Sequence, residues 1–252
     1  FMKLLNEIES NDLLIKNKHF FSDFLIKEPD LQNYDKDFNK KIKESRKIRA
    51  DIIKQIIDQK GFDAVWVFEK MVKYKEGVAN ALYDLYKTRI SKEIYKKYCD
   101  EELEEVFVKQ YFSTIYYEQG ESTYLSTIEE LITISKNNFS IILYAPGYQK
   151  SLSEIAKASS SDIEKVYWEK LAVLVVPETE IENIIRRLCY VGRYDDVLRI
   201  ISLHKNSIII TEDIMIGVLC EMQQNGKWDI LKKEAHIVAE ILKKISLPDN
   251  ID

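Results

Sequence analysis

Ile184-Ile185-Arg186-Arg187-Leu188-Cys189-Tyr190-Val191, then Gly192-Arg193-Tyr194, then Asp196-Val197-Leu198-Arg199-Ile200-Ile201-Ser202-Leu203 decides the fold. Apolar residues recur at spacings of three and four on both sides of a glycine, which is the period of a helix with one buried face. A glycine just past a last helical turn is the usual stop signal, because only glycine takes a positive φ without steric cost. The stretch therefore reads as helix, turn, helix. Ile216 to Met222, Gly226-Lys227-Trp228 and Ile230 to Leu242 repeat the pattern, with Gly226 standing 34 residues after Gly192, the period of tetratricopeptide-like units. A looser copy runs from Ile52 to Ile57 through Gly61-Phe62 to Ala64–Met71. One helix pair cannot bury both its faces, so pairs stack on one another.

The rest of the chain agrees. A long helix is expected over Asp35–Lys60, with Phe38, Ile42, Ile48, Ile52, Ile53, Ile56 and Ile57 on one stripe. Capping boxes, in which a hydroxyl and a glutamate three residues later satisfy each other's backbone donors, are read at Ser126/Glu129, Ser151/Glu154, Ser161/Glu164 and Thr179/Glu182. Seven glycines and four prolines in 252 residues are too few for an architecture rich in tight hairpins. The β-branched runs Leu171–Val176 and Ser207–Ile210 look like strands, but isolated strands leave unpaired edges. They are expected to be buried helix ends or extended connectors.

The expected fold is thus all-α, a right-handed α-solenoid or stacked antiparallel helix-pair array of about a dozen helices. It is expected to form one elongated domain over residues 1–252, divisible into an N-terminal helical part, 1–120, and C-terminal helix-pair repeats, 121–252. Ile52, Ile56, Trp66, Leu82, Leu188, Leu198, Ile201, Leu219 and Leu242 are the expected core. Tyr167 and Trp168 are adjacent and point about 100° apart on a helix, so one is expected in the core and the other half-exposed.

A resemblance adds to this. Asp162 to Leu171 with its Tyr167-Trp168 pair, Glu180 to Leu188, then Gly192-Arg193 and Val197-Leu198 resemble a recurring pattern of helical-repeat (TPR- or HEAT-like) regions in large bacterial proteins. Gly61 and Gly77 to Leu82 resemble it too. Such regions include the C-terminal sensor arrays of STAND-type NTPases and related antiviral proteins. The resemblance implies a ligand-sensing or scaffolding module whose effector lies elsewhere in a longer polypeptide. The opening Phe1-Met2 also suggests an excised piece. The tetratricopeptide consensus itself is absent.

Chemistry is sparse. No phosphate-binding GxxxxGK[ST] loop and no GxSxG elbow occurs. His19, His204 and His236 have no histidine or cysteine at metal-ligand spacing. Cys99, Cys189 and Cys220 read as small buried hydrophobes of a reducing compartment. No enzyme activity, cofactor or metal is therefore expected. The longest apolar run, Leu171–Val176, is far below the roughly 20 residues of a membrane helix, and a cytoplasmic location is expected. The expected function is a macromolecule-recognition scaffold or sensor with a protein partner. Its groove is placed in the C-terminal pairs, with Tyr167, Tyr190, Arg193 and Tyr194 as contacts. The alternative is a nucleic-acid-binding array using the basic helix Lys40–Lys54. There Lys40, Lys41, Lys43, Arg46, Lys47, Arg49 and Lys54 outnumber Glu44 and Asp51.

Overall fold

The structure, a computed structural model, describes residues 12–26, 38–135, 138–173, 176–204 and 210–244. Of these, 77% are helical, in fifteen α-helices and two short 3-10 turns, with no strand among the described residues. The chain divides into two compact units, residues 1–146 and 147–252.

The first unit holds α1 (Leu13–Asn17), a 3-10 turn (Lys18–Phe21), α2 (Phe38–Lys60), α3 (Asp63–Met71), α4 (Lys75–Tyr86), α5 (Ser91–Cys99), α6 (Glu105–Gln119), α7 (Glu121–Leu131) and α8 (Ser140–Tyr144). Alternate helices lie side by side: α2 on α4, α4 on α6, α6 on α8, and α5 on α7. Consecutive helices reverse at Gly61 and Gly120, both at positive φ. The stripe on α2 is shifted from the expected one. Ile52, Ile53 and Ile56 are buried, but Phe38 and Ile48 are exposed, and Ser45 and Arg49 take the inward positions. The register explains this, because 45, 49, 52, 53 and 56 share one face of a 3.6-residue helix. The start of the expected helix, Asp35–Asp37, lies outside the described residues. Much of the core is aromatic. Phe21 meets Phe68 edge-on at 5.1 Å, and Tyr83 meets Tyr111 at 6.3 Å. Three buried tyrosine hydroxyls of this unit end on backbone carbonyls: Tyr95 donates to Ser135, Tyr111 to Lys87 and Tyr124 to Ile142, so the burial of these three strands no polar group.

The second unit holds α9 (Lys150–Ser159), α10 (Ser161–Lys170), a 3-10 turn (Glu178–Glu180), α11 (Ile181–Tyr190), α12 (Tyr194–Leu203), α13 (Glu212–Gln224), α14 (Trp228–Lys233) and α15 (Ala235–Lys244). Here α9 pairs with α10 and α11 with α12, α13 lies on α11, and α15 lies on α12. The two glycine turns that decided the reading are built alike. At the first, Arg193 N–H donates to Leu188 O and Gly192 N–H to Cys189 O. At the second, Lys227 N–H donates to Met222 O and Gly226 N–H to Gln223 O. Both glycines sit at positive φ, 75° and 64°, the double bond of a Schellman turn. The expected helix Ile230–Leu242 is broken at Glu234 into α14 and α15.

Several local expectations fail. Ser126 lies in the middle of α7, where its hydroxyl donates to Ser122 O. Ser151 and Ser161 lie one or two residues inside their helices, and Thr179 falls in a 3-10 turn. Side-chain caps are instead found, among the described residues, at Asp12, Ser160 and Thr211. Leu219 is only half-buried, Leu242 is 53% exposed, and Cys220 is exposed. Tyr167 and Trp168 are both buried. Since α10 packs on both α9 and α11, its buried arc is wide enough for two adjacent rings. Of the strand-like runs, Leu171–Val173 and Val176 form irregular connector, while Leu174, Val175 and Ser207–Ile209 lie outside the described residues.

Candidate functional site

The four residues expected at an interface have different fates. Tyr167 and Tyr194 are 0% and 2% exposed, so they offer no surface in this conformation. Tyr194 joins successive helix pairs, its hydroxyl donating to Glu221 (3.1 Å) and accepting from Asn225 (2.9 Å). Arg193 is half-buried and acts as a cap: it donates to Trp168 O (2.8 Å) and Leu171 O (2.6 Å) at the end of α10, and pairs with Asp196. The Tyr-Trp and Gly-Arg elements are therefore one structural device, because the arginine after the glycine turn satisfies the carbonyls that end the Tyr-Trp helix. Tyr190 stands clear, 74% exposed.

Between α11 and α13 runs an open groove of about 460 Å³. Its apolar floor is Ile185, Ile214 and Val218, and its rim carries Glu182, Asp213, Glu221 and Arg186. Cys189 lies in its wall, buried, with burial pushing its thiol up to about 12, so the thiol is protonated and unreactive at neutral pH. A side chain at Gly217 would meet nothing within 4 Å.

The first unit contains a cavity of about 220 Å³ on the face where α2, α4 and α6 lie in a row. Two arginines one turn apart on α2 reach it. Arg49 is 3% exposed and donates to three carbonyls, Phe20 (2.9 Å), Asp23 (2.5 Å) and Phe24 (2.9 Å). It forms no ion pair with a carboxylate among the described residues, and burial lowers its pKa from the usual arginine value. Arg46 holds Asp84 through two nitrogens (3.1 and 2.5 Å) and Glu118 through a third (2.6 Å). Burial works against its charge, but the two carboxylates outweigh that and raise its pKa. On α4 and α6, Asn80 Oδ1 accepts from Gln110 (3.1 Å) and Thr114 (2.9 Å). The wall is closed by Tyr74, packed over Gly77, where a Cβ would come within 2.6 Å of its ring.

The basic helix is thereby divided. Arg46 and Arg49 turn inward, while Lys40, Lys43, Lys47 and Lys54 are exposed on the opposite face. Sequence reasoning missed the cavity arginines, although Arg49 stands three and four residues before Ile52 and Ile53, on their face. No group of three or more His, Cys, Asp or Glu among the described residues is placed to hold a metal ion, and no helix among them is long and apolar enough to cross a membrane. Compared with known proteins, the chain matches no family model, no curated protein and no solved structure.

Proposed function

We propose that this chain is a recognition scaffold, a helix-pair array that holds a polypeptide partner in the α11/α13 groove. The observation that carries the reading is the groove's composition. Apolar Ile185, Ile214 and Val218 are rimmed by three carboxylates and one arginine, and α11 ends at exposed Tyr190, the residue after Cys189 of the groove wall. An apolar trough with an acidic rim suits an amphipathic segment carrying lysine or arginine, and an exposed tyrosine is a favoured anchor. Alternating helix contacts in each unit support the array reading, since stacked pairs bring first helices beside first helices. The sensor-like role implied by the Tyr-Trp and Gly-Arg resemblance belongs to the same proposal.

The test uses Gly217→Trp, which fills the trough from a position with open space around it. Partners captured by the wild-type chain and by this variant are compared by mass spectrometry, after circular dichroism shows that the variant is folded. Loss of the wild-type partners supports the groove. Recovery of the same set by the folded variant ends the proposal.

A further inference from the structure

We propose that the cavity among α2, α4 and α6 is a second, independent binding site, for a small organic anion with a carboxylate or phosphate head on an apolar body about the size of benzene. The polar wall is built of unused donors. Arg49 has five N–H groups, of which three meet carbonyls, and Arg46 likewise commits three to Asp84 and Glu118. Each guanidinium therefore keeps two. Asn80 turns its oxygen to Gln110 and Thr114, which leaves its amide nitrogen without a partner among the described residues. A wall of donors with two arginines recognises acceptor-only, negatively charged groups, and the arginine fork fits carboxylate and phosphate alike.

Charge points the same way. Arg49 is buried; Asp23 acts on its charge from a distance but no carboxylate among the described residues forms an ion pair with it, so a counter-ion in direct contact is a gain. Among the described residues Glu118 is the one carboxylate that lines the cavity, Asp84 holding Arg46 from behind the lining. The Glu118 side chain is 41% exposed, and it occupies Arg46 from the open side. That makes it a resident stand-in for the head group, able to turn into solvent when a ligand binds. Beside the arginines the lining also holds Phe24, Ile42 and Tyr74, whose apolar and aromatic groups take the body of the ligand. Size limits that body: an engineered cavity of roughly 150 Å³ holds benzene, and this one is about 220 Å³.

Benzoate, phenyl phosphate and the neutral benzamide are titrated calorimetrically into the whole chain. Saturable binding of at least one of the two anions, with benzamide weaker by about tenfold or more, is expected from the loss of a charge-assisted contact; the better of the two identifies the head group. Glu118→Gln should tighten anion binding by about threefold to tenfold, because it releases Arg46 and removes a like charge. Ser113→Phe, at a half-buried position of the wall, should abolish binding in a chain that still melts as a folded protein. Equal binding of benzamide, no binding of either anion, or a Glu118→Gln variant that binds no tighter would overturn the proposal. None of these outcomes bears on the α11/α13 groove.

Discussion

The Tyr74 ring centre lies 4.8 Å from the guanidinium carbon of Arg49, and Gly77 is what permits the contact. A Cβ at Gly77 would come within 2.6 Å of one Tyr74 ring atom and 3.3 Å of the Arg49 stem. Gly77 lies inside α4 at an ordinary helical φ, where alanine alone would gain about 1 kcal/mol of helix propensity. The clash reaches a ring held in a packed wall, and overpacking of this kind costs about 1–3 kcal/mol. Gly77→Ala is therefore expected to lose about 1 kcal/mol net in urea unfolding and to weaken anion binding. A variant more stable than the wild type would show that Tyr74 is free to move aside.

Leu198 and Leu242 were read as core from the same spacing, and they separate in the structure. Leu198 is fully buried on α12, whereas Leu242 on α15 is 53% exposed. Leu198→Ala is expected to cost about 2–5 kcal/mol, and Leu242→Ala well under 1 kcal/mol. The comparison is made from denaturant midpoints at equal slope. Similar losses at the two sites would contradict the burial assigned to them.

The difference between these leucines shows what was legible in the chain. Helix and turn follow from local rules, since glycine at the end of an apolar stripe needs no knowledge of neighbours. Whether a stripe is buried along its full length depends on which helices lie on it. Ile52 to Ile56 is covered because α4 lies on α2, and Phe38 is left bare. Tyr194, expected to meet a partner, is instead buried, because Glu221 and Asn225, which bind its hydroxyl, come from a helix further along the chain. The anion cavity was illegible for the same reason. Its lining comes from α2, α4, α6, Phe24 and Tyr74, and only the fold brings them together.

Glu101 repeats the glycine turn without a glycine. Glu102 N–H donates to Lys97 O and Glu101 N–H to Tyr98 O, as at Gly192 and Gly226, and Glu101 stands at φ 60°. A non-glycine residue in this region costs roughly 1–2 kcal/mol, part of which is returned by its lower unfolded-state entropy. Glu101→Gly should therefore raise stability by about 0.5–1 kcal/mol, and Gly192→Ala should lower it by about 1 kcal/mol. Gly192 has nothing within 4 Å of an added Cβ, so its loss reports backbone strain alone. The check is the pair of thermal midpoints, which should move in opposite directions.

Tyr194 should give the second unit a component of alkaline sensitivity. Burial, together with the hydrogen bond and negative charge of Glu221, raises its pKa from the ordinary 10.0 to about 12. The folded chain therefore keeps a proton that the unfolded chain releases near pH 10. The stability this contributes is complete below pH 10 and is lost as pH rises from there towards 12, by on the order of 2 kcal/mol. Tyr194→Phe loses the hydroxyl bonds to Glu221 and Asn225, so at neutral pH it should be less stable than wild type by about 1 kcal/mol. It has no proton to lose at that position. The gap between the two proteins should accordingly close above pH 10 and reverse before pH 12, measured as the urea midpoint at each pH. A gap that stays constant through that range would mean that the Tyr194 hydroxyl titrates as it does in water, and that its link from the first glycine turn to α13 does not hold in solution.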